Sequence, residues 1–150
     1  MGKLIKTHWS RLIILTASTY QLAAALHGYF WPKIFWDVLT KNLDGAVKPY
    51  PILQSINLFF ALVGLCWEWP LPLVTKFLPA LHRSVEARLV VYPIAALAAL
   101  LLYQGTNAGL YYLIGIGVLF WGFCEGEGIA PEPWTLPRGP TVPFRGPAKV

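Results

Sequence analysis

Apolar residues run almost unbroken through four stretches of this chain: Leu12 to Phe30, Ile52 to Trp69, Val85 to Gln104 and Thr106 to Cys124. A helix needs roughly 20 mostly apolar residues to cross a bilayer, so the pattern predicts four membrane-spanning helices over these ranges. The third stretch carries charge only in its first turn. Gln104-Gly105-Thr106-Asn107-Ala108-Gly109 has the composition of a tight turn, and the last two helices are expected to form a hairpin. Soluble core helices would need a polar face for water, and only the second stretch has a continuous one. After the first stretch, Trp31, Ile34, Phe35, Val38, Leu39 and Leu43 recur at helical spacing, with Lys33, Asp37 and Lys41 opposite them. With Pro32 at its start and Gly45 at its stop, Pro32 to Asp44 is expected to be a short amphipathic helix in the outer interface, anchored by Trp31 and Trp36. The fold class that follows is all-α: a four-helix transmembrane bundle in residues 1–128, then an extended Pro-rich tail over 129–150.

Composition sharpens this picture. Of the 150 residues, 56% are hydrophobic and 13% charged, about half the charged share of a soluble domain, and the mean hydropathy is +0.53. A disordered chain and an ordinary nucleic-acid module are excluded. The net charge of +5 bears on orientation. With the N-terminus inside, Lys3, Lys6, Arg11, Lys76, Arg83, Arg88, Arg138, Arg145 and Lys149 fall on the inner side, against Lys33, Lys41 and Lys48 outside. The positive-inside bias places both termini in the cytoplasm. Basic residues ahead of an apolar run ending in Ala23-Ala24-Ala25 also fit a signal peptide; with Met1 at the head of the sequence, the expectation is a retained first span. Met1-Gly2 does not continue into a myristoylation signal, because position 6 is Lys.

Within the spans, Gln54, Asn57, Ala61, Gly64 and Glu68 fall on one seam of the second helix, and Thr16, Tyr20, Ala23 and His27 make a comparable stripe on the first. In lipid, small residues allow close helix approach and polar ones bond between helices, so both are expected to face the bundle. The bland reading is structural glue. The functional one is a polar-lined cavity in which Gln54, Asn57, His27 and Glu68 serve catalysis, with Glu68 as acid. Haem ligation by paired histidines would need a second one at the depth of His27, which the chain lacks. Pro93 inside the third span is expected to kink it.

Charges gather at the inner boundary. Glu68, Glu125 and Glu127 sit at helix C-terminal ends, where the dipole disfavours acids, at the depth of Arg11 and Arg88. The expected result is a structural ion cluster in which Arg88 bridges the second and fourth spans. Gly115, Gly122 and Gly126 of the fourth span would serve internal packing or docking to a partner. Cys66 and Cys124 lie at the inner edge, where a disulfide is not expected. No metal-ligand spacing is present, and no cofactor is expected. In the tail, Pro140-Thr141-Val142-Pro143-Phe144-Arg145 fits a PxxPx(R/K) ligand for an SH3-type domain, with Pro140, Pro143 and Arg145 as contacts; Trp134 is a further candidate docking residue.

Two resemblances follow from particular residues. Trp31-Pro32-Lys33-Ile34-Phe35-Trp36-Asp37, Lys41-Asn42-Leu43-Asp44-Gly45 and Pro131-Glu132-Pro133-Trp134-Thr135-Leu136-Pro137 look like a fungal family of small four-helix membrane proteins without assigned function. Glu68-Trp69-Pro70, Val85-Glu86-Ala87-Arg88, Gly126-Glu127 and Pro131-Glu132-Pro133 are similar in order to the small membrane subunit of the phagocyte NADPH oxidase. The second resemblance implies a protein with no chemistry of its own, which stabilises a haem-bearing catalytic subunit and offers a cytoplasmic proline-rich tail to an SH3 organiser. This tail is short, and the outer loop with its tryptophans has no counterpart there. The expected function is a non-enzymatic membrane accessory subunit or adaptor beside a larger integral membrane protein, with the lipid bilayer as surroundings and no nucleic-acid partner. The alternative is a small membrane isomerase or cyclase acting on a lipophilic substrate.

Overall fold

The computed structural model describes residues 5–34, 47–48, 50–69 and 77–127, and these are helical with no strand among them. Five α-helices follow in chain order: α1 (Lys6–Phe30), α2 (Ile52–Glu68), α3 (Pro79–Arg83), α4 (Val85–Leu101) and α5 (Thr106–Cys124). Prolines punctuate them as their fixed φ and missing N–H require. α1 ends ahead of Pro32, α2 begins after Pro51 and ends ahead of Pro70, and Pro79 opens α3. Ser84 caps α4, its hydroxyl accepting from the Ala87 amide at 3.0 Å. Pro93 lies on the exposed side of α4, and the helix runs through it.

A 3-10 turn at Tyr103–Gly105 joins α4 to α5. Gly105 is required there, because a Cβ would run into the Ala99 backbone carbonyl. At the other end of α5, Gly126 adopts φ +72°. The Glu127 amide donates to Gly122 at 2.9 Å and the Gly126 amide to Phe123 at 3.0 Å, which closes the helix in a Schellman arrangement.

The four long helices form a ring. α1 packs on α2 and α5, and α4 completes it against α5 and α2. One apolar cluster joins Ile14 and Ala17 of α1 to Tyr92, Ala95 and Ala96 of α4 and Tyr112 and Leu119 of α5. A second gathers Ala24, Ile34, Val47, Leu53 and Leu102 at the hairpin end. Ile34 pairs with Leu102 in an isolated antiparallel bridge, so the chain after Pro32 begins extended rather than helical. The rest of the expected interfacial helix, from residue 35, lies outside the described residues. So does the tail.

The distribution of polarity is inverted relative to a water-soluble bundle. Ser10, Ser18, Gln21, Gln54, Asn57, Glu68, His82 and Arg88 are buried, while Phe30, Phe59, Val90, Leu97, Leu113 and Phe120 are exposed. Among the described residues, one stretch is both long and apolar enough to cross a membrane, Tyr103–Cys124. α2 is apolar but has 17 residues, and α4 is equally long, about 25 Å each and at the short end of what a bilayer needs. α1 has 25 residues, but Thr16, Ser18, Thr19, Gln21 and His27 dilute its apolarity.

Glycine positions test the packing. A Cβ on Gly64 would collide with the Ser18 hydroxyl and sit 3.1 Å from that of Tyr112, whereas nothing lies within 4 Å of one on Gly117. Thermal unfolding in detergent should show Gly64→Ala destabilised by about 1–3 kcal/mol. Gly117→Ala should be neutral or gain up to about 1 kcal/mol from helix propensity.

Candidate functional site

The buried polar groups fall into two networks inside the ring and one clasp at its end. The ionic network stands where α2 ends and α4 begins. Glu68 is the last residue of α2, at the negative end of its dipole, and Arg88 lies in the first turn of α4, at a positive end. Each charge is disfavoured by its own helix, and each is almost wholly buried, so the two depend on each other. Arg88 Nη1 donates to Glu68 Oε1 and Oε2 at 2.6 and 2.8 Å, and Nη2 donates to the His82 carbonyl at 2.7 Å. The Tyr92 hydroxyl, one turn after Arg88, donates to the same carboxylate. Arg11 Nε donates to the Glu68 backbone carbonyl at 2.7 Å, which satisfies an orphan acceptor at the helix end. The Trp67 ring lies 5.8 Å from the guanidinium of Arg88 and 6.0 Å from the Tyr92 ring.

Glu125 and Glu127, expected in this same cluster, are placed elsewhere. Ile5 gives α1 no side-chain cap. The Glu127 carboxylate supplies one from the far end of the chain, accepting from the amides of Lys6 at 2.9 Å and Thr7 at 3.2 Å. Glu125 pairs with the Lys6 ammonium and accepts from Trp121 Nε1 at 2.8 Å. Arg88 therefore ties α2 to α3 and α4, and α5 is held to α1 by the acids that follow it. Gly115 and Gly122, expected as partner contacts, lie on the side of α5 turned to α1, against Ile14 and against Lys6 and Thr7. Gly126 serves the helix stop.

The second network is uncharged and joins all four long helices. The Ser18 and Tyr112 hydroxyls lie 2.9 Å apart, and Tyr112 donates to Gln21 Oε1 at 2.9 Å. Gln21 Nε2 donates to Asn57 Oδ1 at 2.9 Å and to the Ala95 carbonyl at 3.2 Å. Asn57 Nδ2 donates to the carbonyls of Leu53 and Ala98, each at 2.9 Å. Gln54 donates to the Gly28 carbonyl at 3.3 Å. The seam Gln54, Asn57, Ala61, Gly64 and Glu68 thus faces the interior.

The comparable stripe on α1 does not. Thr16, Tyr20, Ala23 and His27 are exposed, and the buried face is Ser10, Ile14, Ala17, Ser18, Gln21, Ala24, Ala25 and Gly28. This overturns the expected inward face. Polar residues occur on both sides of α1, and spacing alone does not choose between them. The catalytic quartet is accordingly dispersed. His27 stacks on Trp31 at 5.2 Å outside the bundle, and Gln54 stands fourteen residues from Glu68, about 21 Å along α2. An open groove of about 670 Å³ along α2, lined by Tyr50, Ile52, Ser55, Ile56, Phe59 and Phe60, includes none of the four. Among the described residues, no three His, Cys, Asp or Glu side chains gather to hold a metal ion. Cys66 and Cys124 are free thiols. Trp134, Pro140, Pro143 and Arg145 lie outside the described residues.

Ser10, Ser18, Gln21, His82, Tyr92 and Tyr112 are interior polar residues that the spacing argument does not pick out. Tyr92 follows Arg88 by four and Gln21 follows Ser18 by three, the separations that share a helix face, so the signal was present.

Removing one partner of a buried pair leaves an uncompensated charge, at a cost of about 3–5 kcal/mol. Arg88→Met should cost that much in thermal unfolding, and adding Glu68→Leu should recover part of it. A double variant as unstable as the sum of the singles would refute the pairing. His82, between α2 and α4, is held below the usual histidine range by burial and then by Arg88 and Arg11. The unfolded chain therefore takes up the proton first, and the stability held in the neutral imidazole is complete above about pH 6.5 and lost as pH falls below it. The midpoint of thermal unfolding should drop between pH 7.5 and 5.5, and drop less in His82→Gln.

The chain matches a family model described as a domain of unknown function (DUF7727) over residues 1–127. No curated protein and no solved structure matches it. With that match over most of its length, the chain belongs to the DUF7727 family.

Proposed function

We propose that this is a multi-pass integral membrane protein of four spans, both termini cytoplasmic, acting as a non-enzymatic accessory subunit or adaptor beside a larger membrane protein. The observation that carries the reading is how the interior polar groups are used: Gln21, Gln54, Asn57, Glu68, Arg88, Tyr92 and Tyr112 are bonded to one another or to backbone carbonyls. An enzyme would need such groups convergent on a cavity large enough for a substrate, and the isomerase or cyclase alternative has its four residues spread over two helices and both sides of α1. The apolar exterior supports the membrane part, since α1, α2, α4 and α5 all turn large apolar side chains outward. Helices of 17 residues suffice when flanking residues carry the chain to the headgroups.

For the larger partner, two surfaces remain. One is the outward side of α5, where Gly117 opens a gap between Leu113 and Phe120. The other is the proline-rich tail, with its SH3-type motif. The similarity in order to the small subunit of the phagocyte NADPH oxidase makes a haem-bearing catalytic subunit of that kind the first partner to seek.

Purification of the tagged full chain in a mild detergent, followed by mass spectrometry and a visible absorption scan, tests this. A larger integral membrane protein at fixed stoichiometry is expected, and a haem band would identify its class. Recovery without such a partner, in several detergents, would overturn the subunit reading. Binding of the tail to SH3-type domains should be lost in Pro143→Ala.

A further inference from the structure

The outward side of α1 carries more than lipid contact requires. Leu12, Thr16, Tyr20, Ala23, His27 and Phe30 follow one another at steps of three or four along the helix, and all are exposed. The outward face of α4 differs in kind, with Val90, Ile94 and Leu97 all apolar and suited to acyl chains, and α5 exposes Leu110, Leu113 and Ile114 with Tyr111 beside α1. On α1 the Thr16 hydroxyl is satisfied by the Leu12 carbonyl at 2.9 Å. The Tyr20 phenol stacks on Tyr111 of α5, centroids 5.5 Å apart and planes 3° from parallel, and His27 stacks on Trp31. Among the described residues, no hydrogen bond reaches the side-chain polar atoms of Tyr20, Tyr111 or His27. Tyr20 stands ten residues inside the end of α1, and in hydrocarbon an unbonded phenol there carries a desolvation cost that lipid tails cannot offset.

We infer that this face is an interface between two copies of the chain, packed α1 against α1 about a two-fold axis along the membrane normal, a proposal that rests on the four-span reading above. Two copies inserted in the same orientation bring each residue opposite its own kind at its own depth. A self-interface then needs groups that complement themselves, and this seam has them. A tyrosine hydroxyl both donates and accepts, and an imidazole offers two ring nitrogens, so Tyr20 and Tyr111 of one copy meet the same pair of the other, and His27 meets His27. No charged residue lies on the seam between Leu12 and Phe30, so self-pairing brings no like charges together. Ala23, between the two polar positions, lets the backbones approach. Steps of three and four, alternating from Thr16 onward, suit the shallow left-handed crossing of parallel helices.

The test uses the full chain in native membranes with Cys66→Ser and Cys124→Ser, carrying either Ala23→Cys on the seam or Leu113→Cys on the apolar face of α5. Mild oxidation should give a disulfide-linked dimer of this chain through position 23 and background through 113. In the otherwise unaltered chain, adding Tyr20→Phe and then His27→Phe should weaken the dimer about threefold for each hydrogen bond lost, read by energy transfer between labelled copies in bilayers. Equal linkage at 23 and 113, linkage at 23 to a different membrane protein, or unchanged dimerisation in both variants would overturn the proposal. An alkaline carbonate wash separates its failure from that of its premise. Release of the chain overturns the four-span reading and the interface together, whereas retention without linkage overturns the interface alone.

Discussion

The pairing of Glu68 with Arg88 sets the register of the bundle. Both charges are buried, and each stands at the end of its helix where the dipole opposes it. Neither position is tolerable alone, so α2 cannot end where it does unless α4 begins beside it. The remaining valences of the pair then recruit their surroundings. Nη2 takes the His82 carbonyl and fixes α3, the carboxylate takes the Tyr92 hydroxyl, and the backbone of Glu68 takes Arg11 and with it α1. One ion pair thus specifies the mutual placement of four helices. Its net contribution to stability is small compared with the penalty for breaking it, which is the signature of an element that specifies an arrangement more than it strengthens one.

The uncharged network further up the bundle does the same work by a gentler route. Gln21 and Asn57 reach carbonyls of α4 across the ring, at Ala95 and Ala98. Those carbonyls are approachable because α4 presents alanines there, with no side chain long enough to hold α1 and α2 away. The alanines of α4 and the glycines Gly64 and Gly115 are therefore the condition for the polar bonds, since they bring backbone within reach of short amide side chains. Of the two roles open to the small residues, packing the chain's own helices is the one that Gly64 and Gly115 serve here.

Much of this was legible in the sequence, for reasons that differ between elements. The limits of α2 and α5 followed from apolar runs bounded by proline or glycine, and these agree with the structure to within a residue. The inward seam of α2 was legible because its amide and acidic side chains, Gln54, Asn57 and Glu68, all lie on one face, with Ser55, its hydroxyl residue, turned outward. α1 was not, because Thr16, Tyr20 and His27 compete with Ser18 and Gln21, and periodicity weighs the two faces alike. Shared depth brought Arg88 towards Glu68 correctly in kind. It failed for Glu125 and Glu127, since depth carries no information about which side of the bundle a helix end faces. Their destination was set by a local deficiency, the uncapped start of α1 at Ile5, a requirement that becomes visible only when both ends of the chain are seen together.

That distribution constrains where function can lie. Most interior polar groups are held in bonds to one another or to the backbone, with Gln54 Oε1 and Trp67 Nε1 as buried exceptions, and opening the network to admit a substrate would strand further donors and acceptors. The outer faces of the bundle are unequal: α4 turns out Val90, Ile94 and Leu97, α5 adds Tyr111 and Trp121 to its apolar positions, α1 turns out Tyr20 and His27, and Glu125 and Glu127 are tied to the first turn of α1 through Lys6 and Thr7. That clasp supplies the start of α1 with the cap its own sequence lacks, and it fixes the close of α5 against the first turn of α1.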